Sequence, residues 1–294
     1  MIRRDRPGPF RLFFVWRGSI IARILPHILG FALYAACVVA GTRALGLDLS
    51  RVGVAPFALV GVTLSIYLSF RNSAAYDRWW EARRLWGQLV AESRTLARAT
   101  EALLVEDAVR RRFLLCFLGF CHLLRGQLRD VDVAREARAF LPFAADKASE
   151  VLVEMGHDLA AARKGETLDP IAHRILEERL TALTLIEAGC ERIAGTPLPF
   201  AYTLLLHRTA YLFCLMLPFG LVAAAGWATP VFTAFIAYTF FGLDSLSEEL
   251  EDPFGTEAND LPLDGLCRTC EIAVLGSLGD PVPPPLMARG YYMS

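Results

Sequence analysis

No stretch of this chain alternates apolar and polar residues for long enough to read as a β-strand, which leaves an all-α fold. Catalytic constellations are missing too. The five histidines, His27, His122, His157, His173 and His207, show no HExxH or other ligand spacing. No glycine-rich phosphate loop follows a strand, and no Ser/His/Asp set can be assembled. These absences exclude an enzyme. The seven cysteines are odd in number and scattered, and Cys267-Arg-Thr-Cys270 lacks a second Cys or His pair at zinc-finger spacing. Reduced, packed thiols are therefore expected rather than a disulfide framework or a zinc site. The net charge of -1 gives nucleic acid nothing to bind. Internal repeats are absent, which argues against a secondary transporter. No small-residue cleavage site follows the first apolar block, so that block is expected to stay in the mature protein.

What the chain does have is apolar residues. They make up 54% of its 294 residues, with a mean hydropathy of +0.39, against roughly 45–50% in soluble domains. They collect in uncharged blocks of the length a bilayer demands, about 20 residues per span. Ile24 to Thr42 is bracketed by Arg23 and Arg43, and Val52 to Phe70 ends at Arg71. Between Arg208 and Asp244 lie 35 uncharged residues, broken by Gly226-Trp227-Ala228-Thr229-Pro230. That run is too long for one span. It divides into a third span starting near Pro199 and a fourth ending near Glu249, with His207, Arg208 and Asp244 at membrane ends or inside the protein.

The expected layout is an all-α membrane protein with four transmembrane helices and a cytoplasmic helical bundle. An N-terminal arm covers 1–23. A hairpin covers 24–104, its second helix running on into water through Trp79, Trp80 and Trp86. These tryptophans read equally as an interfacial belt or as packing between helices. The bundle covers 105–195, with about three helices broken near Leu141-Pro142 and between Lys164 and Pro170. Its apolar faces are Phe113, Leu114, Phe117, Phe120 and Leu124, then Ile175, Leu176, Leu180, Leu183 and Ile186. The second hairpin covers 196–250 and a cytoplasmic segment 251–294. Arginines crowd the arm and the stretch from Arg71 to Arg112, which places both termini and the bundle in the cytoplasm.

On the second span, Val62, Ile66 and Phe70 recur every four residues and share one helix face, with Leu59 and Ser73 beside them. Spacing alone makes this an ordinary packing stripe. Four blocks add more: Trp16-Arg17-Gly18-Ser19-Ile20, Arg71-Asn72-Ser73-Ala74-Ala75-Tyr76-Asp77-Arg78-Trp79-Trp80-Glu81-Ala82-Arg83, Thr196-Pro197-Leu198-Pro199-Phe200-Ala201-Tyr202 and Glu248-Glu249-Leu250-Glu251-Asp252-Pro253-Phe254-Gly255. In sequence and in order, these blocks resemble the signature segments of bestrophins.

The resemblance implies a homopentameric channel whose pore narrows at an apolar neck, matched here by Val62, Ile66 and Phe70. Family members carry a bulkier group at the first position, so Val62 is a departure that widens that ring. An apolar ring narrow enough to expel water stops ions, which cannot shed hydration without replacement ligands. Charge preference must then come from outside the ring, where Phe70 presents an aromatic edge and Arg71 follows. The resemblance also implies a cytoplasmic constriction, for which Leu180 is the candidate and an ordinary core leucine the alternative. In animal bestrophins the acidic segment is a calcium clasp, whose ligands fall on Glu249, Asp252, Glu257 and Asp260. Ala258 and Asn259 interrupt it, so no cofactor is required; a weak calcium site and a solvated helix end both remain open. Animal members conduct chloride. The shorter chain looks more like the bacterial branch, which favours monovalent cations such as sodium over anions. The other readings are a chloride channel and a membrane-anchored scaffold or sensor without conduction. Partners are four further copies of the chain, membrane lipid and small ions.

Overall fold

The computed structural model describes residues 1–2, 8, 10, 15–16 and 18–294. Arg3, Arg4, Arg6, Arg11 and Arg17 of the N-terminal arm lie outside the described residues. The described elements are helical: α1 (Ile21–Ala44), α2 (Ala55–Leu103), α3 (Asp107–Arg129), the short α4 (Ala134–Arg138), α5 (Ala148–Lys164), α6 (Pro170–Gly195), α7 (Phe200–Ala225), a 3₁₀ turn at Gly226–Ala228, α8 (Thr229–Glu251) and α9 (Leu263–Leu278). The chain forms two compact units. One comprises 6–79 and 197–252, the other 1–5, 80–196 and 253–294.

In the first unit, α1 packs along α8, and α7 lies against both. Their shared core holds Ile24, Phe31, Leu64, Leu68, Phe213, Leu217, Phe240 and Phe241. Phe31 stacks on Phe241 with ring centroids 5.5 Å apart, and Phe213 meets Phe240 edge-on at the same separation. Gly220 is required at its position. A Cβ there would stand 2.4 Å from the ring of Phe57 and 3.2 Å from the carbonyl oxygen of Gly53. The outer faces of these helices are as apolar as the core, with Leu29, Leu33, Leu212, Met216, Phe232 and Phe235 all exposed. A water-soluble helix pairs a buried apolar face with a polar one, and these do not.

Two stretches are long and apolar enough to cross a membrane: Ile21–Ala44, and Phe200–Glu251, which comprises α7, the 3₁₀ turn and α8. The expected break at Gly226 to Pro230 falls at that turn, where Gly226 takes a φ of +52°. The second expected span is the N-terminal part of α2. It falls short of the same composition, because its uncharged run ends at Phe70 while the helix continues through Arg71 to Leu103.

The second unit is built around α3, whose Phe113, Leu114, Phe117, Phe120 and Leu124 are all buried against α5, α6 and α9. Each such side chain contributes about 1.5–3 kcal/mol when fully withdrawn from water. Asp169 starts α6 by accepting the backbone N–H groups of Ile171 and Ala172 at 2.9 and 3.1 Å, with Pro170 in the first turn. Leu176, Leu180, Leu183 and Ile186 are buried as expected; Ile175 is exposed and belongs to the other side of α6. Within the segment 251–294, α9 packs on α3. Arg125 and Arg129 of α3 both reach Asp264 of α9, at 2.6 and 2.9 Å. Six of the seven cysteines are buried and Cys37 is exposed. Burial pushes the Cys116 and Cys190 thiols up to about 12, which keeps them protonated.

Candidate functional site

Within the first unit, α2 divides cleanly into two faces. Leu64, Leu68, Arg71 and Ala75 recur at three- and four-residue intervals and are buried. On the far side, Val62, Ile66 and Phe70 keep 59%, 51% and 64% of their surface exposed, and Leu59 and Ser73 are exposed with them. Three large apolar side chains in a row have therefore been left uncovered by their own chain. Beside them runs a stripe of small residues, Gly61, Ser65 and Ser69, which floors a groove of about 570 Å³ walled by Phe57, Phe213 and Leu217. Two of the hydroxyls nearby are spent on their own helix. Ser65 donates to the Gly61 carbonyl at 2.8 Å and Thr63 to that of Leu59 at 3.0 Å. The uncovered face thus offers little polar chemistry to compensate a desolvated ion.

Directly after Phe70 the helix turns inward. Arg71 is 2% exposed, and its guanidinium pairs with Asp244 through Nη1 and with Glu251 at 3.6 Å through Nη2. Both carboxylates come from α8. Asp244 also meets His207 Nδ1 of α7 at 3.2 Å. Glu251 is a hub: Oε1 accepts the Leu198 backbone N–H at 3.0 Å, and its carbonyl oxygen accepts Arg78 Nε–H at 2.8 Å. The role expected for Arg71, a cation beside the neck, is therefore corrected. Two carboxylates neutralise it, and it faces away from the exposed stripe.

The remaining expected residues lie in other surroundings. Leu180 is buried in the bundle beside Gly156 of α5, and the apolar residues that α6 presents outward are Ile171, Ile175 and Leu185. Of the acidic set, Glu249 and Asp260 are buried while Asp252 and Glu257 are exposed. Asp260 Oδ2 accepts the Glu257 backbone N–H at 2.6 Å, which closes the turn before α9. Among the described residues, no three His, Cys, Asp or Glu side chains are placed to hold a metal ion. Trp86 is fully buried and so packs between helices, whereas Trp80 is exposed. Sequence reading passed over Glu251, whose acidic neighbours gave it no distinguishing signal. It also passed over Asp77, which stands on the exposed face two turns beyond Phe70.

Residues 1–276 match the family model described as bacterial/fungal bestrophin protein. A voltage-dependent anion channel-forming protein of Mesorhizobium japonicum is 60% identical over 301 residues, covering 100% of this chain and 97% of that one. The voltage-dependent anion channel-forming protein YneE of Escherichia coli is 43% identical over 286 residues, covering 94% and 93%. A crystal structure of a bacterial bestrophin homologue from Klebsiella pneumoniae is 40% identical with a TM-score of 0.81, covering 89% of this chain and 99% of that one.

Proposed function

Because the chain belongs to the bacterial/fungal bestrophin family, we propose that it is an ion channel of the inner membrane. Copies of α2 stand around a common axis with Val62, Ile66 and Phe70 inward. The observation that carries this reading is the exposure of those three residues on one face that no described helix of the same chain covers. Five copies form the ring, with both termini on the cytoplasmic side where the arginines cluster. The neck gates by dewetting, since an ion passing it loses water and gains no ligand. Monovalent cations such as sodium pass in preference to anions. Burial of Arg71 between Asp244 and Glu251 supports that preference by removing the cation nearest the neck. The names of the relatives favour the anion reading. Leu180 has no part in the pore on this reading, since trimming it acts on the bundle core first.

The test uses purified protein in planar bilayers under a salt gradient. Ile66→Ala widens and wets the ring and should raise the current severalfold. A detergent-corrected mass of five subunits should accompany it. A silent wild type together with a silent Ile66→Ala would return the protein to the scaffold reading.

A further inference from the structure

We infer that Asp77 sets the charge preference of the conduit by presenting a carboxylate to small hydrated cations on the face that bears the neck. The inference rests on the reading of that face as the pore lining. An α-helix repeats its orientation to within about 20° every seven residues. Asp77 lies seven residues after Phe70, so it returns to the same face about 10 Å further along the axis. It is exposed, and it makes no ion pair with any described residue.

The cations on either side of Asp77 are engaged elsewhere. Arg71 is buried between Asp244 and Glu251, and Arg78 is half-buried with its Nε–H on the Glu251 carbonyl. Among the charged residues of α2 between Phe70 and Trp79, Asp77 alone is exposed. The next charge on this face is Glu81, four residues beyond Asp77 and paired with Arg192 at 2.7 Å; after it comes Arg84, fourteen residues after Phe70, exposed and of opposite sign. It lies about another 10 Å along the axis, roughly one Debye length at moderate salt, so Asp77 dominates the field at the neck entrance. Symmetry multiplies the effect. A ring of copies repeats the carboxylate around the axis, and low-dielectric walls focus its field on the water between. Sodium and potassium are concentrated there and chloride is repelled before either meets the apolar ring.

The reversal potential in a sodium chloride gradient reads this directly, with Ile66→Ala as the background if wild-type current is small. Asp77→Glu should keep the preference, Asp77→Asn should cut the cation-to-anion permeability ratio severalfold, and Asp77→Lys should carry the reversal potential toward chloride. Arg84→Gln should leave the sign unchanged. Reversal potentials identical in the Asn, Lys and parent channels would overturn the inference and leave the channel standing. Absence of current from both wild type and Ile66→Ala would overturn the conduit and this inference with it.

Discussion

Arg71 of α2 and Asp244 of α8, 173 residues apart in the chain, form a side-chain ion pair in which the arginine is almost wholly withdrawn from solvent. Glu251 approaches the same guanidinium at 3.6 Å. Removing one partner of such a pair strands the other charge, which typically costs about 3–5 kcal/mol, whereas replacing both with apolar groups can be nearly neutral. Arg71→Met should therefore lower the thermal midpoint sharply when unfolding is followed by tryptophan fluorescence in detergent. Arg71→Met combined with Asp244→Leu should recover part of the loss. Equal midpoints for Arg71→Met and wild type would show the pair to be without energetic weight.

Val62 is smaller than the group expected at the first ring of the neck. If its exposed side chain faces the conduit, adding a methylene narrows the dewetted stretch and raises the barrier to ion entry. Val62→Leu should reduce single-channel current severalfold while leaving the reversal potential in place. Thr63→Ala, one residue on and off the stripe, should change neither.

Glu187 is buried on α6 with Oε1 unpartnered. Burial, reinforced by Glu191, pushes its carboxyl up to about 7, while the Ser149 backbone N–H pulls the other way. The folded state therefore holds a proton that the unfolded chain has released above pH 4.5. The stabilisation is fully present below that value and is lost as pH rises through about 7. Glu187→Gln stays neutral throughout, so it should stabilise the protein by about 2–3 kcal/mol near pH 8 and by nothing near pH 4. Thermal midpoints of both proteins across that range check the crossing; a constant offset would refute it.

Gly220 faces the ring of Phe57, which walls the groove beside the neck stripe. Ala at 220 must displace that ring or the Gly53 loop, an overpacking cost of about 1–3 kcal/mol. Gly220→Ala should lose stability by that amount, and Gly220→Ala with Phe57→Leu should regain most of it. A double variant no more stable than the single would locate the strain elsewhere.

Much of the layout could be read from local pattern, because charges bracket the apolar blocks. Arg23 and Arg43 lie within the ends of α1, Pro199 immediately precedes α7, and Gly226 starts the turn before α8. That Val62, Ile66 and Phe70 share one helix face was legible from their four-residue repeat; the neck itself was implied only by the resemblance. What escaped was non-local. Nothing near Arg71 announces that its partners arrive from α8, so the sequence placed it only as the residue following Phe70. For segment 251–294 the sequence named no packing partner, because a sixteen-residue helix carries too few apolar positions to declare what it packs against. The equal choice over the tryptophans was settled one residue at a time, with Trp86 buried and Trp80 exposed. Ile175 fitted the helical period of its neighbours and still lies on the outward side, since a broad apolar stripe does not mark its own edge.

At 49 residues, α2 is a rod of about 74 Å. From Val62 to Trp79 it contains neither proline nor glycine, so it has no joint between the ring of Phe70 and Asp77. A lever without an elbow transmits what it receives. On the reading of this face as the pore lining, a small roll imposed at Asp77 by a neighbouring copy would arrive at Phe70 as the same roll, and a few degrees there would decide whether the aromatic ring blocks the axis or stands aside from it.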